Sequence, residues 1–106
     1  MIRVITKRII NCNQFENTKK QLNALYRKAY TNMGFLGANT YIEYNGYDNK
    51  TLWTFSDWSS HNDWNKWLNS SSRIFTIENN MVDMEINHTV ISKLKMKYFY
   101  FKCTLI

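Results

Sequence analysis

The chain reads as a single α+β domain over residues 1–106, with a ferredoxin-like split βαβ arrangement and a four-stranded antiparallel sheet. Three observations predict it. The elements fall in the order β-α-β-β-α-β. The length of 106 residues suits one domain. The strands carry apolar residues on both faces, whereas two helices cover only one. The second face needs a cover, and a second copy of the chain is the simplest, giving a homodimer closed as an α/β barrel.

Residues 1–10, MIRVITKRII, are β-branched and bounded by Asn11 and Asn13, as a strand is. Ile2 and Val4 share one face, Ile5 and Ile9 the other. Residues 14–33 read as a helix capped by Asn13 with Glu16 three residues on. Its apolar stripe is Phe15, Leu22, Leu25, Ala29 and Met33, and Gly34 supplies its C-terminal stop. Residues 35–44 form the second strand, and Asn45-Gly46 and Asp48-Asn49 mark a hairpin turn. The third strand is 51–58. Ser60 caps a second helix, with Asp63 as its acidic partner and Trp64, Trp67 and Leu68 as its stripe. Residues 73–80 are expected as a short helix, and 89–101 as a long last strand.

The bulk properties exclude several classes. No stretch approaches the roughly 20 apolar residues of a membrane span. Met1 runs straight into a strand, so no signal peptide is read and a cytoplasmic location is expected. The two cysteines, Cys12 and Cys103, belong to no CxxC pair and have no His at ligand spacing, so no metal site is expected and both are read as buried or half-buried thiols. The net charge of +6 is dispersed along the chain, which places nucleic acid last among partners. Four Trp, seven Tyr and six Phe exceed what one small core hides, so some line a pocket or an interface.

Residues 54–73, TFSDWSSHNDWNKWLNSSSR, carry a signature: Trp58 ending a strand, a serine, then Asp63-Trp64, Trp67, Asn69-Ser70 and Arg73. This resembles the antibiotic biosynthesis monooxygenase (ABM) family, and the likeness extends over roughly residues 1–101, with Met33 standing where many members have proline. The resemblance implies a dimeric α+β barrel. It also implies a cofactor-free oxidation of a small aromatic or quinol-like substrate by O₂. A haem-degrading branch of such proteins uses a strand Asn, a helix Trp and a His ten residues later. Here Trp67 is kept, but Ile77 replaces the His and Lys7 the Asn, which speaks against haem chemistry.

Such an oxygenase needs an apolar cavity, a few polar contacts and positive potential rather than a nucleophile. Trp58 and Trp67 are candidate substrate contacts, with Trp64 assigned to the core. Asn39 and Tyr41, placed on one strand face with Phe35, are candidates too, although a buried Asn bonded to backbone is the competing role for Asn39. Arg73 is a candidate to neutralise a phenolate, an ion pair with Asp63 or Glu78 being the preferred alternative. His61 is expected as an exposed first-turn residue, His88 in a loop, and Asp57 as an exposed or capping carboxylate. The absence of a well-placed base supports a second hypothesis, a non-catalytic dimeric module that binds a small ligand.

Overall fold

Strand β1 (Ile2–Asn11) is an interior strand, paired on both sides, and carries β-branched residues on both faces. The computed structural model describes residues 1–44, 49–71, 73–74, 85–92 and 104–105. β1 pairs antiparallel with β3 (Asn49–Trp58) on one side and β4 (Glu85–Ser92) on the other. β2 (Phe35–Tyr44) pairs with β3, giving the order β4-β1-β3-β2. A two-residue strand, β5 (Thr104–Leu105), adds to the outer edge of β2 opposite Tyr41 and Ile42. The four-stranded antiparallel sheet with two helices is the expected α+β ferredoxin-like fold, with β5 as a short addition formed by the chain's tail.

Helix α1 (Phe15–Ala29) buries Leu22, Leu25 and Ala29 against the sheet, as its periodicity requires. Its start differs from expectation. A 3-10 turn, Cys12–Gln14, precedes it, and the Gln14 side chain accepts the Asn11 N–H at 3.0 Å, so the capping contact falls before Asn13. Its end also comes four residues earlier than 33. The Thr31 hydroxyl and the Asn32 amide both donate to the Lys28 carbonyl, at 2.6 and 3.2 Å, and stop the helix there. Gly34 then takes φ +90. A Cβ at that position would overlap the Asp63 carboxyl, so the turn needs glycine for space as well as for its backbone.

Helix α2 (His61–Leu68) starts as the sequence predicts. Ser60 Oγ accepts the Asp63 N–H at 3.1 Å and donates to the Asp63 carboxylate at 2.8 Å. Ser59 Oγ also donates to that carboxylate, and the two hydroxyls hold the Asp63 pKa down, Ser59 most. Beyond α2, Arg73 and Ile74 are helical; the rest of the expected 73–80 helix lies outside the described residues, as does 93–101 of the expected last strand. β4 begins at Glu85, four residues before the expected start, so His88 is a strand residue rather than a loop one.

The core lies between the sheet and the helices: Val4, Ile10, Leu22, Leu25, Ala29, Ile42, Leu52, Trp58, Trp64 and Trp67 form one buried cluster. The sheet's second face carries Ile5 and Phe55, which are 5% and 7% exposed within the single chain. Around them Arg3 pairs with Asp57 through two hydrogen bonds, at 2.6 and 2.9 Å, and Trp53 Nε1 donates to Glu43 at 2.7 Å. Asp57 is thus a half-buried ion-pair partner rather than the exposed or capping carboxylate expected. Cys12 is exposed, contrary to the buried or half-buried reading, because it sits in the 3-10 turn outside the sheet; Cys103 lies outside the described residues. Among the described residues no helix is long and apolar enough to cross a membrane.

Candidate functional site

Strand parity builds the site. Alternate residues of β1 point to the helices: Val4, Thr6, Arg8 and Ile10, all buried. Their neighbours across the sheet are Thr54 opposite Thr6 on β3, Thr40 opposite Thr54 on β2, and His88 opposite Thr6 on β4. A row of polar groups therefore crosses the inner face beneath the two helices.

At one end of that row, Thr40 and Thr54 share a hydrogen bond of 2.8 Å, and the Tyr26 hydroxyl from α1 bonds to both. Arg8 comes next. It is 3% exposed, and its Nη1 donates to Thr54 Oγ1 at 3.1 Å. Its Nε is buried with no partner among the described residues, and no carboxylate among them pairs with it. Burial pushes the Arg8 pKa down to about 10.

At the other end stands His88, bonded through Nδ1 to Thr6 Oγ1 at 2.9 Å and through Nε2 to Arg73 Nη2 at 3.1 Å. A guanidinium only donates, so Nε2 accepts and the ring proton sits on Nδ1, where it donates to Thr6. His88 is exposed as a residue: its bond to Arg73 lies at the surface, and its bond to Thr6 is part-buried. Desolvation first, then the charges of Arg73 and Arg8, push its pKa down to about 4, so the imidazole is neutral at pH 7. Arg73 also donates to the Leu68 carbonyl at 3.1 Å at the end of α2, and burial lowers its pKa.

Above this row lie the tryptophans. Trp58, on β3, makes an edge contact with Trp64 at 5.6 Å between ring centroids and stacks on Trp67 at 6.2 Å; Trp64 in turn stands edge-on to His88 at 5.3 Å. Trp58 Nε1 is satisfied by Ser56 Oγ at 3.0 Å. The rings and the polar row border a tight cleft with about 30 Å³ of free interior, closed on the α1 side by Leu25, Tyr26 and Ala29. That is room for a water or two, so an aromatic ring enters this cleft by parting the side chains that line it.

Of the residues singled out from the sequence, Trp58, Trp67 and Arg73 line this cleft together, and so does Trp64, assigned to the core. Arg73 is engaged by His88 and Leu68 rather than by Asp63, which faces Ser59 and Ser60 instead; Glu78 lies outside the described residues. Asn39 and Tyr41 do not reach the cleft. A register shift between Phe35 and Gly37 inserts one residue into β2, so Phe35 stays on the cleft side while Asn39 and Tyr41 turn to the other face. Asn39 is exposed there, and Tyr41 packs edge-on to Phe55 at 5.6 Å. His61 is exposed, as expected. Lys7 lies with its ammonium over the Trp53 ring at 5.4 Å, away from the cleft, and Ile77 lies outside the described residues. The residues that sequence reading missed are Thr6, Arg8, Tyr26 and His88. Arg8 had a signal: it shares parity with Val4 and Ile10, so a charge stands in a row otherwise buried.

A sheet of this order with both helices on one face, and an aromatic cleft between, is an α+β ferredoxin-like domain with the fold of the antibiotic biosynthesis monooxygenase proteins. Solved structures give the particulars. SnoaB, a cofactor-independent oxygenase from Streptomyces nogalater, superposes with a TM-score of 0.69 at 11% identity, over 86% of this chain and 91% of that one. A conserved protein from Methanosarcina mazei gives a TM-score of 0.67 at 17% identity, over 87% and 91%. A structure described as an antibiotic biosynthesis monooxygenase gives 0.65 at 11%, over 86% and 94%. No protein-family model matches the chain, and no curated protein matches it in sequence. At these identities the likeness is one of fold, and function has to be argued from the cleft.

Proposed function

We propose that this chain is a cofactor-independent monooxygenase of the ABM type, oxidising a small phenol or quinol with O₂ in the tryptophan-lined cleft. The observation that carries the reading is the pairing of three tryptophan rings with two guanidiniums, Arg8 and Arg73, in a cleft where no carboxylate neutralises them among the described residues. The rings suit a flat aromatic, and the cations favour its anion.

The chemistry asked of the protein is modest. A bound phenol beside two guanidiniums loses its proton more readily than in water, because the anionic form gains their field in a poorly solvated site. The phenolate then gives one electron to O₂, and the radical pair combines at a conjugated CH₂ carbon. Loss of water leaves a carbonyl there: one oxygen atom enters the product, the other departs as water, and the substrate supplies all four electrons. The fold likeness to SnoaB, itself described as a cofactor-independent oxygenase, supports this reading.

The test is oxygen uptake by purified protein with hydroquinones, naphthols and anthrones. Uptake above the uncatalysed rate is expected, and an anthrone, which carries the conjugated CH₂, is expected to give a product that has gained one oxygen and lost two hydrogens. Trp67→Phe is expected to lower that rate severalfold while cooperative unfolding is retained. A second reading, the non-catalytic ligand-binding module, is favoured by one observation: the only lone pair of His88 is already occupied by Arg73, so the cleft offers no ready imidazole base. Uptake at the uncatalysed rate across the panel, with binding retained, would select it. The proposal includes a cytoplasmic homodimer; sedimentation at twice the chain mass of 12.8 kDa would support the dimer, and sedimentation at 12.8 kDa would exclude it.

A further inference from the structure

Arg8 poses a problem that the oxidation alone does not resolve. A buried guanidinium is costly unless its charge is matched and its donors are used. Here one hydrogen bond, to a neutral threonine, is all it makes among the described residues, and Nε has none. The neighbouring charges make matters worse. Arg73 lines the same cleft, His88 between them is locked neutral with its acceptor nitrogen spent on Arg73, and Tyr26 hydrogen-bonds to threonine hydroxyls. Among the described residues no carboxylate lines the cleft; Asp57 and Glu43 lie on the sheet's other face, and Asp63 is held by Ser59 and Ser60.

A phenolate would fill this need only in part, since a free phenol is neutral near pH 7 and arrives uncharged. The group that answers a permanently charged guanidinium is one ionised over the same pH range, and the planar donor fork of arginine fits a carboxylate best. We infer that the natural ligand of the cleft is an aromatic carboxylate, its carboxylate held by Arg8 and its ring stacked within the Trp58–Trp64–Trp67 wall. The inference deepens the oxygenase reading by naming the substrate class, but it does not depend on turnover. The cleft has about 30 Å³ free, so the ring enters by parting the tryptophans, which then orient it.

The experiment is a binding titration under nitrogen, followed by tryptophan fluorescence, with 2-naphthoate and its neutral isostere 2-naphthamide. Wild-type protein is expected to bind the naphthoate at least about tenfold more tightly. Arg8→Met, which keeps the length and removes the charge, is expected to erase that difference without lowering the melting temperature, because an unmatched buried charge has been taken away. Equal affinity for the two probes in the wild type would overturn the inference whether or not the variant folds. A preference that survives in Arg8→Met, or a variant that folds only with a lowered melting temperature and an unchanged preference, would overturn it as well. Oxygen plays no part in these measurements, so absence of turnover leaves the result standing, and a failed preference leaves the oxygenase reading to its own test.

Discussion

The two faces of the sheet handle charge in opposite ways, and β1 shows it within one strand. Arg3 and Arg8 stand five residues apart, so they point to opposite faces. Arg3 meets Asp57 in a two-bond ion pair, and that hydrogen bonding raises its pKa. Arg8 meets a threonine, and burial lowers its pKa to about 10. Tryptophan divides the same way: Trp53 is half-buried and bonded to Glu43, whereas Trp58 is 1% exposed among other rings at the cleft. One face has its polar groups matched within the chain. The other holds positive potential beneath an aromatic wall, which is the arrangement expected where a partner is to come from outside.

The comparison breaks most visibly at the tryptophans. Trp58→Ala removes the ring that touches Phe35, Trp64 and Trp67, and is expected to cost about 3–5 kcal/mol in urea unfolding. Trp53→Ala, on the matched face, is expected to cost less than half of that. The arginines sharpen it by sign. Arg3→Met should lose about 1 kcal/mol, the scale of a well-formed but partly exposed ion pair. Arg8→Met should leave stability unchanged or raise it by about 1 kcal/mol. Losses of equal size at the two positions would show that Arg8 is matched internally after all.

The smallest effect is the pH dependence of His88. Its pKa is about 4 in the folded chain and near 6.5 when unfolded, so between these values the unfolded chain takes up a proton that the folded one refuses. Its stabilising contribution is present above pH 6.5 and is lost as the pH falls towards 4. Denaturation midpoints measured from pH 7 down to 4.5 should fall in the wild type and fall less steeply in His88→Gln. Parallel slopes would mean that His88 is as easily protonated in the folded chain as in the unfolded one.

The sequence carried most of the fold and about half of the cleft, and the division follows from the range of each signal. The Ser60–Asp63 cap and the spacing of Trp64 and Trp67 are local, so three or four residues suffice to read them. Arg73 was legible as a candidate, but its engagement with His88 joins the end of one helix to a strand and has no local trace. His88 was hidden by an error of four residues in where β4 begins. Tyr26 looked like any polar helix residue until Thr40 and Thr54 were placed beneath it. Asn39 and Tyr41 were misplaced by counting twos from Phe35 across an inserted residue.

That inserted residue, Leu36, has a consequence for comparing this chain with its structural neighbours. It is 53% exposed and sits where β2 shifts register against β3. A pairwise alignment that runs through it without a gap exchanges inside for outside along the rest of β2, matching Asn39 and Tyr41 to cleft positions of a neighbour that lacks the extra residue. Placing the gap at Leu36 instead aligns Ala38 and Thr40 with that neighbour's inner face. Site residues carried across to a neighbour without the insertion therefore depend on the placement of that single gap.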